Sequence, residues 1–170
     1  MSETGLRETP DTSENDDGNL LRSLLEQTDQ KRKALCRGPF GVTEIDIQVR
    51  EGVVTVSLTG KILDEGSIQI IGEIFTKIIE TPGVKGLILN GEKIGYNSTA
   101  GLGKYISADK NLKRKGMPGF GVAGLQPEVL EVFKITRLDK LFIMGADPVS
   151  LEKKIIEKIR RSAGGAMQQD

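Results

Sequence analysis

From Thr43 onward the chain alternates between two hydrophobic periods, and that alternation constrains its fold more than any other feature. Thr43 to Arg50 carries apolar residues at every second position, Ile45, Ile47 and Val49, the period of a strand with one buried face. Glu51-Gly52 is a tight-turn pair and Val53 to Thr59 a β-branched run, so the two segments predict a hairpin. Asp64 to Glu80 then switches to helical spacing, with Ile68, Ile71, Ile74, Phe75, Ile78 and Ile79 on one side, and Thr81-Pro82-Gly83 stops it. The pattern repeats. Gly86 to Asn90 reads as a short buried strand, 100–115 as a helix and Gly119 to Ala123 as a strand. Pro127 to Ile135 reads as a helix, Lys140 to Met144 as a strand and Pro148 to Arg161 as a last helix. Pro127 and Pro148 sit near helix starts, where proline is tolerated. The order β-β-α-β-α-β-α-β-α predicts an α/β fold: a mixed, mostly parallel sheet with an N-terminal hairpin and helices packed on it.

The ends divide the chain further. Residues 1–18 hold six acidic side chains against Arg7 and little to bury, so a disordered acidic tail is expected there. Residues 19–40 read as a helix and linker, with Leu20, Leu21, Leu24, Leu25 and Leu35 mostly on one side and Gly38-Pro39 breaking it. That helix docks either on the domain or on another subunit. The folded domain is expected over 41–162, and 163–170 as a polar tail.

Composition removes several function classes. There is no histidine among the 170 residues, which takes away the commonest general base and most zinc sites. With no paired carboxylates or metal-ligand pattern either, we expect a non-enzyme with no cofactor. The single cysteine, Cys36, cannot form an intrachain disulfide and fits a reducing cytoplasm. Lys plus Arg equals Asp plus Glu at 24 each, so neither nucleic acid nor an anionic membrane is the expected partner. No apolar run approaches the roughly 20 residues of a membrane span, and the N-terminus lacks the apolar core of a signal peptide.

Two nucleotide-like motifs fail on context. Gly119-Phe120-Gly121-Val122-Ala123-Gly124 spells G-x-G-x-x-G, but its glycines lie inside a strand instead of between a strand and a helix. Close packing explains small residues there better. Ser98 to Tyr105 approaches a phosphate-binding loop, yet serine replaces its first glycine and tyrosine its metal-binding hydroxyl.

The segment Tyr96-Asn97-Ser98-Thr99-Ala100-Gly101-Leu102-Gly103 is more telling. It places two adjacent hydroxyls where a loop turns into a helix. Free N–H groups and the helix dipole tolerate negative charge there. Each hydroxyl suits a helix N-cap, worth about 1 kcal/mol, and each can carry a phosphate. Lys110, Lys113, Arg114 and Lys115 read as a solvated helix end, with a docking patch as the alternative.

With this element order, the stretch Ser98-Thr99-Ala100-Gly101-Leu102 resembles the signature of the STAS domain: aspartate, serine, a small residue, glycine, an aliphatic residue. Gln126 to Phe142 resembles that family's later helix, turn and last strand. The likeness covers about residues 42–160 and is greatest to the free-standing bacterial anti-sigma factor antagonists and related stressosome proteins. Ser98 stands at the family's aspartate and Thr99 at its phosphorylated serine. The resemblance implies a switch that binds an anti-sigma factor that is also a serine/threonine kinase. That kinase phosphorylates Thr99 (Ser98 being the second candidate), a phosphatase reverses it, and the unmodified form frees a sigma factor. The implied partner-binding residues are Tyr96, Asn97, Ser98, Ala100, Gly101, Leu102, Gly103, Lys104 and Ile106. The alternatives are an unphosphorylated scaffold subunit, self-assembling through the 19–36 helix, and a module binding a small ligand or nucleotide.

Overall fold

A computed structural model describes residues 12–37, 42–62 and 65–169. A long helix α1 (Thr12–Cys36) precedes the hairpin of β1 (Val42–Arg50) and β2 (Val53–Ile62). Then follow α2 (Glu65–Glu80), β3 (Gly86–Asn97), α3 (Thr99–Arg114), β4 (Gly121–Ala123), α4 (Pro127–Ile135), the single turn α5 (Leu138–Leu141), β5 (Ile143–Gly145) and α6 (Pro148–Gln169). The five described strands form one sheet in the order β1-β2-β3-β4-β5. β1 pairs antiparallel with β2 through a turn in which both Glu51 and Gly52 have positive φ, and the remaining pairs are parallel.

That order fixes where the helices go. Each parallel step moves in the same direction across the sheet, and a right-handed crossover then puts its helix on the same face every time. The main core lies on that face, where Val54, Val56, Leu58, Leu87, Leu89 and Val122 of the strands meet the apolar sides of α2, α3 and α4. Five of the chain's seven aromatic rings gather in it: Phe75, Tyr105, Phe120, Phe133 and Phe142, with Tyr105 stacked on Phe120 at 5.5 Å. The opposite face carries α6, whose Leu151, Ile155 and Ile156 cover Val53, Ile88 and Ala123 in a smaller second core. A Cβ on Gly121 would sit 2.9 Å from Ile155 Cδ1 and 3.1 Å from Ile88 Cγ1. Of the three glycines in the G-x-G-x-x-G spelling, Gly121 therefore serves close helix–sheet packing, while Gly119 makes room for Asp109 and Gly124 adopts a positive φ.

Several boundaries differ from the sequence expectation, each for a tertiary reason. β3 does not stop at Asn90. It runs on to Asn97 because two register irregularities let it keep pairing with β2, as Lys93↔Thr59 and Asn97↔Ile62. β4 starts at Gly121 and not at Gly119, because the Phe120 N–H donates to the buried Asp109 carboxylate (2.9 Å). The strand expected over Lys140 to Met144 splits into the turn α5 and a later strand, since the Phe142 N–H bonds back to the Leu138 carbonyl. α6 continues as helix through Gln169, into the span expected as a polar tail.

At the other end, α1 begins at Thr12, so residues 12–18 of the expected disordered tail are helical. The remainder of that tail, the Gly38-Pro39 break and Asp64 lie outside the described residues. The Asp17 carboxylate secures the start of α1 by accepting from both N–H groups of the hairpin turn, Glu51 at 2.6 Å and Gly52 at 3.0 Å. Leu20, Leu24 and Leu35 are buried in the main core, so α1 docks on its own domain. Leu24 is fully buried, and Leu24→Ala is expected to cost about 2–5 kcal/mol. A urea titration checks this: the midpoint falls while the slope of the transition stays the same.

Candidate functional site

The loop at 96–103 stands at the carboxyl end of β3, where irregular pairing with β2 re-aims the strand. The Ser98 N–H donates to the Ile62 carbonyl at 2.8 Å, tying the loop to the end of β2. Ser98 is extended (φ −68°, ψ 155°), and its hydroxyl accepts from the Gly101 N–H at 3.3 Å. The Ser98 carbonyl accepts from the same N–H at 3.0 Å. Of the two hydroxyls, Ser98 is thus the N-cap of α3. Thr99 is the first residue of the helix and is exposed. Among the described residues the Thr99 hydroxyl has no hydrogen-bond partner. The first turn of α3 holds no acidic side chain, so nothing there yet offsets the positive end of the helix dipole.

A buried polar pair holds this geometry. Asn97 is 4% exposed; its Nδ2 donates to the Ser98 carbonyl at 2.9 Å and its Oδ1 accepts from the Tyr105 hydroxyl at 2.6 Å. Tyr105 lies two turns into α3, inside the aromatic cluster, and burial pushes its phenol well above the ordinary range. One side chain of the core therefore reaches the loop and orients it through Asn97. Gly101 completes the arrangement. A Cβ there would meet Asn97 Nδ2 at 2.9 Å and Ile62 Cγ2 at 3.3 Å.

The nominated partner-binding residues separate by exposure. Tyr96, Ala100 and Gly103 are exposed beside Thr99, and Ser98, Lys104 and Ile106 are half-buried. Asn97, Gly101 and Leu102 are buried. Their side of the loop faces inward, and they shape it instead of presenting a surface. Lys104 is engaged as well: its Nζ donates to Gln69 Oε1 (3.2 Å), Gln69 Nε2 donates to Glu73 Oε2 (3.2 Å), and Lys31 Nζ pairs with Glu73 Oε1 (3.0 Å). The hydrogen bonds from Lys31 and Gln69 hold the Glu73 carboxyl below its usual range. This chain joins α1, α2 and α3 across the surface beside the loop. Tyr105 is the residue that the sequence reading missed as part of the site. Its signal, a tyrosine eight positions after an asparagine, follows no local rule.

Chemically, the arrangement offers one free, exposed hydroxyl at a helix start, within a rigid frame. Among the described residues no group of three or more His, Cys, Asp or Glu could hold a metal, and no helix is long and apolar enough to cross a membrane.

The STAS domain family model matches residues 44–159. Solved structures share the fold. One is an anti-sigma factor antagonist from Mycobacterium paratuberculosis, at 16% identity and TM-score 0.58 over 69% of this chain and 97% of that one. A second is SpoIIAA in its unphosphorylated form, at 16% identity and TM-score 0.51 over 68% and 97%. A third is RsbS from Moorella thermoacetica, at 20% identity and TM-score 0.53 over 70% and 97%. At these identities the likeness is one of fold. The matched residues begin after α1, which is an addition to the family domain.

Two glycines of α3 are expected to respond in opposite directions. Gly101→Ala crowds Asn97 and Ile62 and is expected to destabilise by about 1–3 kcal/mol. Gly103 has open space around it, so Gly103→Ala is expected to stabilise by roughly 0.5–1 kcal/mol through helix propensity. Thermal melts of both variants read the sign directly.

Tyr105→Phe leaves the buried Asn97 oxygen without its donor and is expected to cost about 1–3 kcal/mol. It also changes the alkaline limb. The unfolded chain releases the tyrosine proton near pH 10 while the folded chain retains it, so the unfolded state binds fewer protons and stability falls above that pH. Chemical unfolding as a function of pH is expected to show this loss in the parent and a shallower one in Tyr105→Phe.

Proposed function

The chain belongs to the STAS domain family, and on that premise we propose that it is a regulatory protein-binding switch of the anti-sigma factor antagonist kind. Its unmodified form docks a serine/threonine kinase that is itself an anti-sigma factor. Phosphorylation of Thr99 by that kinase ends the contact, and a phosphatase restores it. The observation that carries this reading is the division of labour between the two hydroxyls. Ser98 is occupied as the cap, and Thr99 is exposed at the first helical position. A phosphate on Ser98 would disturb the cap; one on Thr99 leaves it in place. In support, SpoIIAA of Bacillus has been solved in a phosphorylated as well as an unphosphorylated form.

The physics favours a change at the interface over a change of fold. Phosphate adds about −1.5 to −2 charge at neutral pH. At the start of α3 the dipole favours that charge by about 0.3–1 kcal/mol, and the Asn97–Tyr105 bond holds the loop in either state. A partner that places apolar or acidic groups over Tyr96, Thr99, Ala100 and Gly103 is then repelled. This surface binds a protein and performs no chemistry of its own.

Thr99→Glu is expected to reduce recovery of a serine/threonine kinase about tenfold relative to Thr99→Ala, roughly 1.4 kcal/mol, with both variants melting like the parent. Affinity capture from the native cell measures it; equal recovery by both variants overturns the reading. Phosphopeptide mass spectrometry of the native protein is expected to find the modification on Thr99.

A further inference from the structure

At the far end of β3 from Thr99, a groove of about 360 Å³ opens between α6 and the α3–β4 connection. α3, sixteen residues long, runs back from Thr99 to this end, so the two places lie roughly 25 Å apart. Val84, Met117, Pro118 and Ile159 supply apolar wall, and Lys85 and Lys158 supply the charge; no carboxylate lines it. Both lysines are exposed, and among the described residues neither ammonium is ion-paired or hydrogen-bonded. Lys85 is nonetheless placed. Its N–H donates to the Gly52 carbonyl at 2.8 Å, and its stem lies so close over Gly52 that a Cβ there would meet Lys85 Cδ and Cγ at 2.9 Å. Elsewhere on α6, Lys154 lies outside the groove and Arg161 is paired with Glu157. Among the described residues, Lys85 and Lys158 are thus two unpaired cations beside an apolar wall that no carboxylate lines.

We propose that this groove docks an acidic segment of a partner protein, one carrying a short apolar anchor between carboxylates. The apolar side chain fills the space against Met117 and Ile159, and flanking carboxylates meet Lys85 and Lys158. Charged groups at such a rim set specificity and on-rate, while the anchor holds the complex. A concave site suits a peptide better than a lipid surface, which calls for protruding apolar groups. The exposed large hydrophobic residues, Tyr96, Ile135, Leu141 and Val149, all lie outside the groove. The proposal does not rest on the reading of Thr99, and at this distance both surfaces can be occupied together.

The test uses the full chain and a fluorescent hexapeptide, Asp-Glu-Leu-Phe-Asp-Glu, read by anisotropy at low salt. Binding is expected to be saturable. It is expected to weaken about tenfold when the central Leu-Phe is replaced by Ser-Ser, and again in the double variant Lys85→Ser, Lys158→Ser, while Thr99→Glu leaves it unchanged. Circular dichroism of the double variant is expected to match the parent, since neither ammonium is used in the fold. Equal binding of the Ser-Ser peptide, or an unchanged affinity in the double variant, overturns the proposal. So does lysine-dependent co-sedimentation with phosphatidylserine vesicles by a protein that ignores the peptide.

Discussion

The sequential strand order is the constraint on which the rest of the molecule depends. Because every parallel strand is laid on the same side of its predecessor, right-handed crossovers send α2, α3 and α4 to one face. α6 is left to cover the other face by itself. The strands can then be buried on both sides, and Leu87, Ile88 and Leu89 of β3 are fully buried in succession. The same arithmetic puts the β3–α3 junction at the carboxyl edge of the sheet, the edge where loops of α/β folds carry function. The position of Thr99 is therefore a consequence of topology before it is a matter of local chemistry.

Within that frame the loop is held from below. A flexible surface loop would bind a partner with an ordering cost; this one is prepared by the Tyr105–Asn97 bond, the Ser98 cap and the Ser98–Ile62 bridge to β2. On the proposed reading, rigid support beneath an exposed hydroxyl makes charge the variable and shape the constant. Preorganisation of this kind lowers the entropy lost on binding. α1 extends the support laterally: Asp17 fastens it to the hairpin turn, and Lys31 joins it through Glu73 and Gln69 to Lys104 on α3.

Much of this was legible in the residues. The hairpin followed from period-two alternation around Glu51-Gly52, and α2 from its isoleucine spacing. α4 followed from Pro127 and the apolar residues after it. The hydroxyl pair at 98–99 announced a helix start, and the five-residue stretch through Leu102 carried the family. What failed was decided by partners distant in sequence. The extension of β3 past Asn90 depends on pairing with Thr59 to Ile62. That tail of the strand contains Gly91, Glu92, Lys93 and Gly95 and looks like a loop. Phe120 and Phe142 stay out of the strand ladder because Asp109 and Leu138 claim their N–H groups. No local propensity reports such claims.

The sequence by itself determined the class of fold, the order of its elements and the place of the two hydroxyls, because hydrophobic period and turn chemistry are local properties. It left either hydroxyl fit to cap the helix, with the family resemblance placing modification at Thr99 ahead of Ser98. Only the tertiary structure assigned the cap to Ser98, since that choice turns on its backbone angles and on a buried amide held by a tyrosine eight residues away. It also turned Asn97, Gly101 and Leu102 inward and left Tyr96, Thr99, Ala100 and Gly103 facing solvent. Which side of a loop is surface is set by what packs beneath it, and that is written in no single segment of the chain.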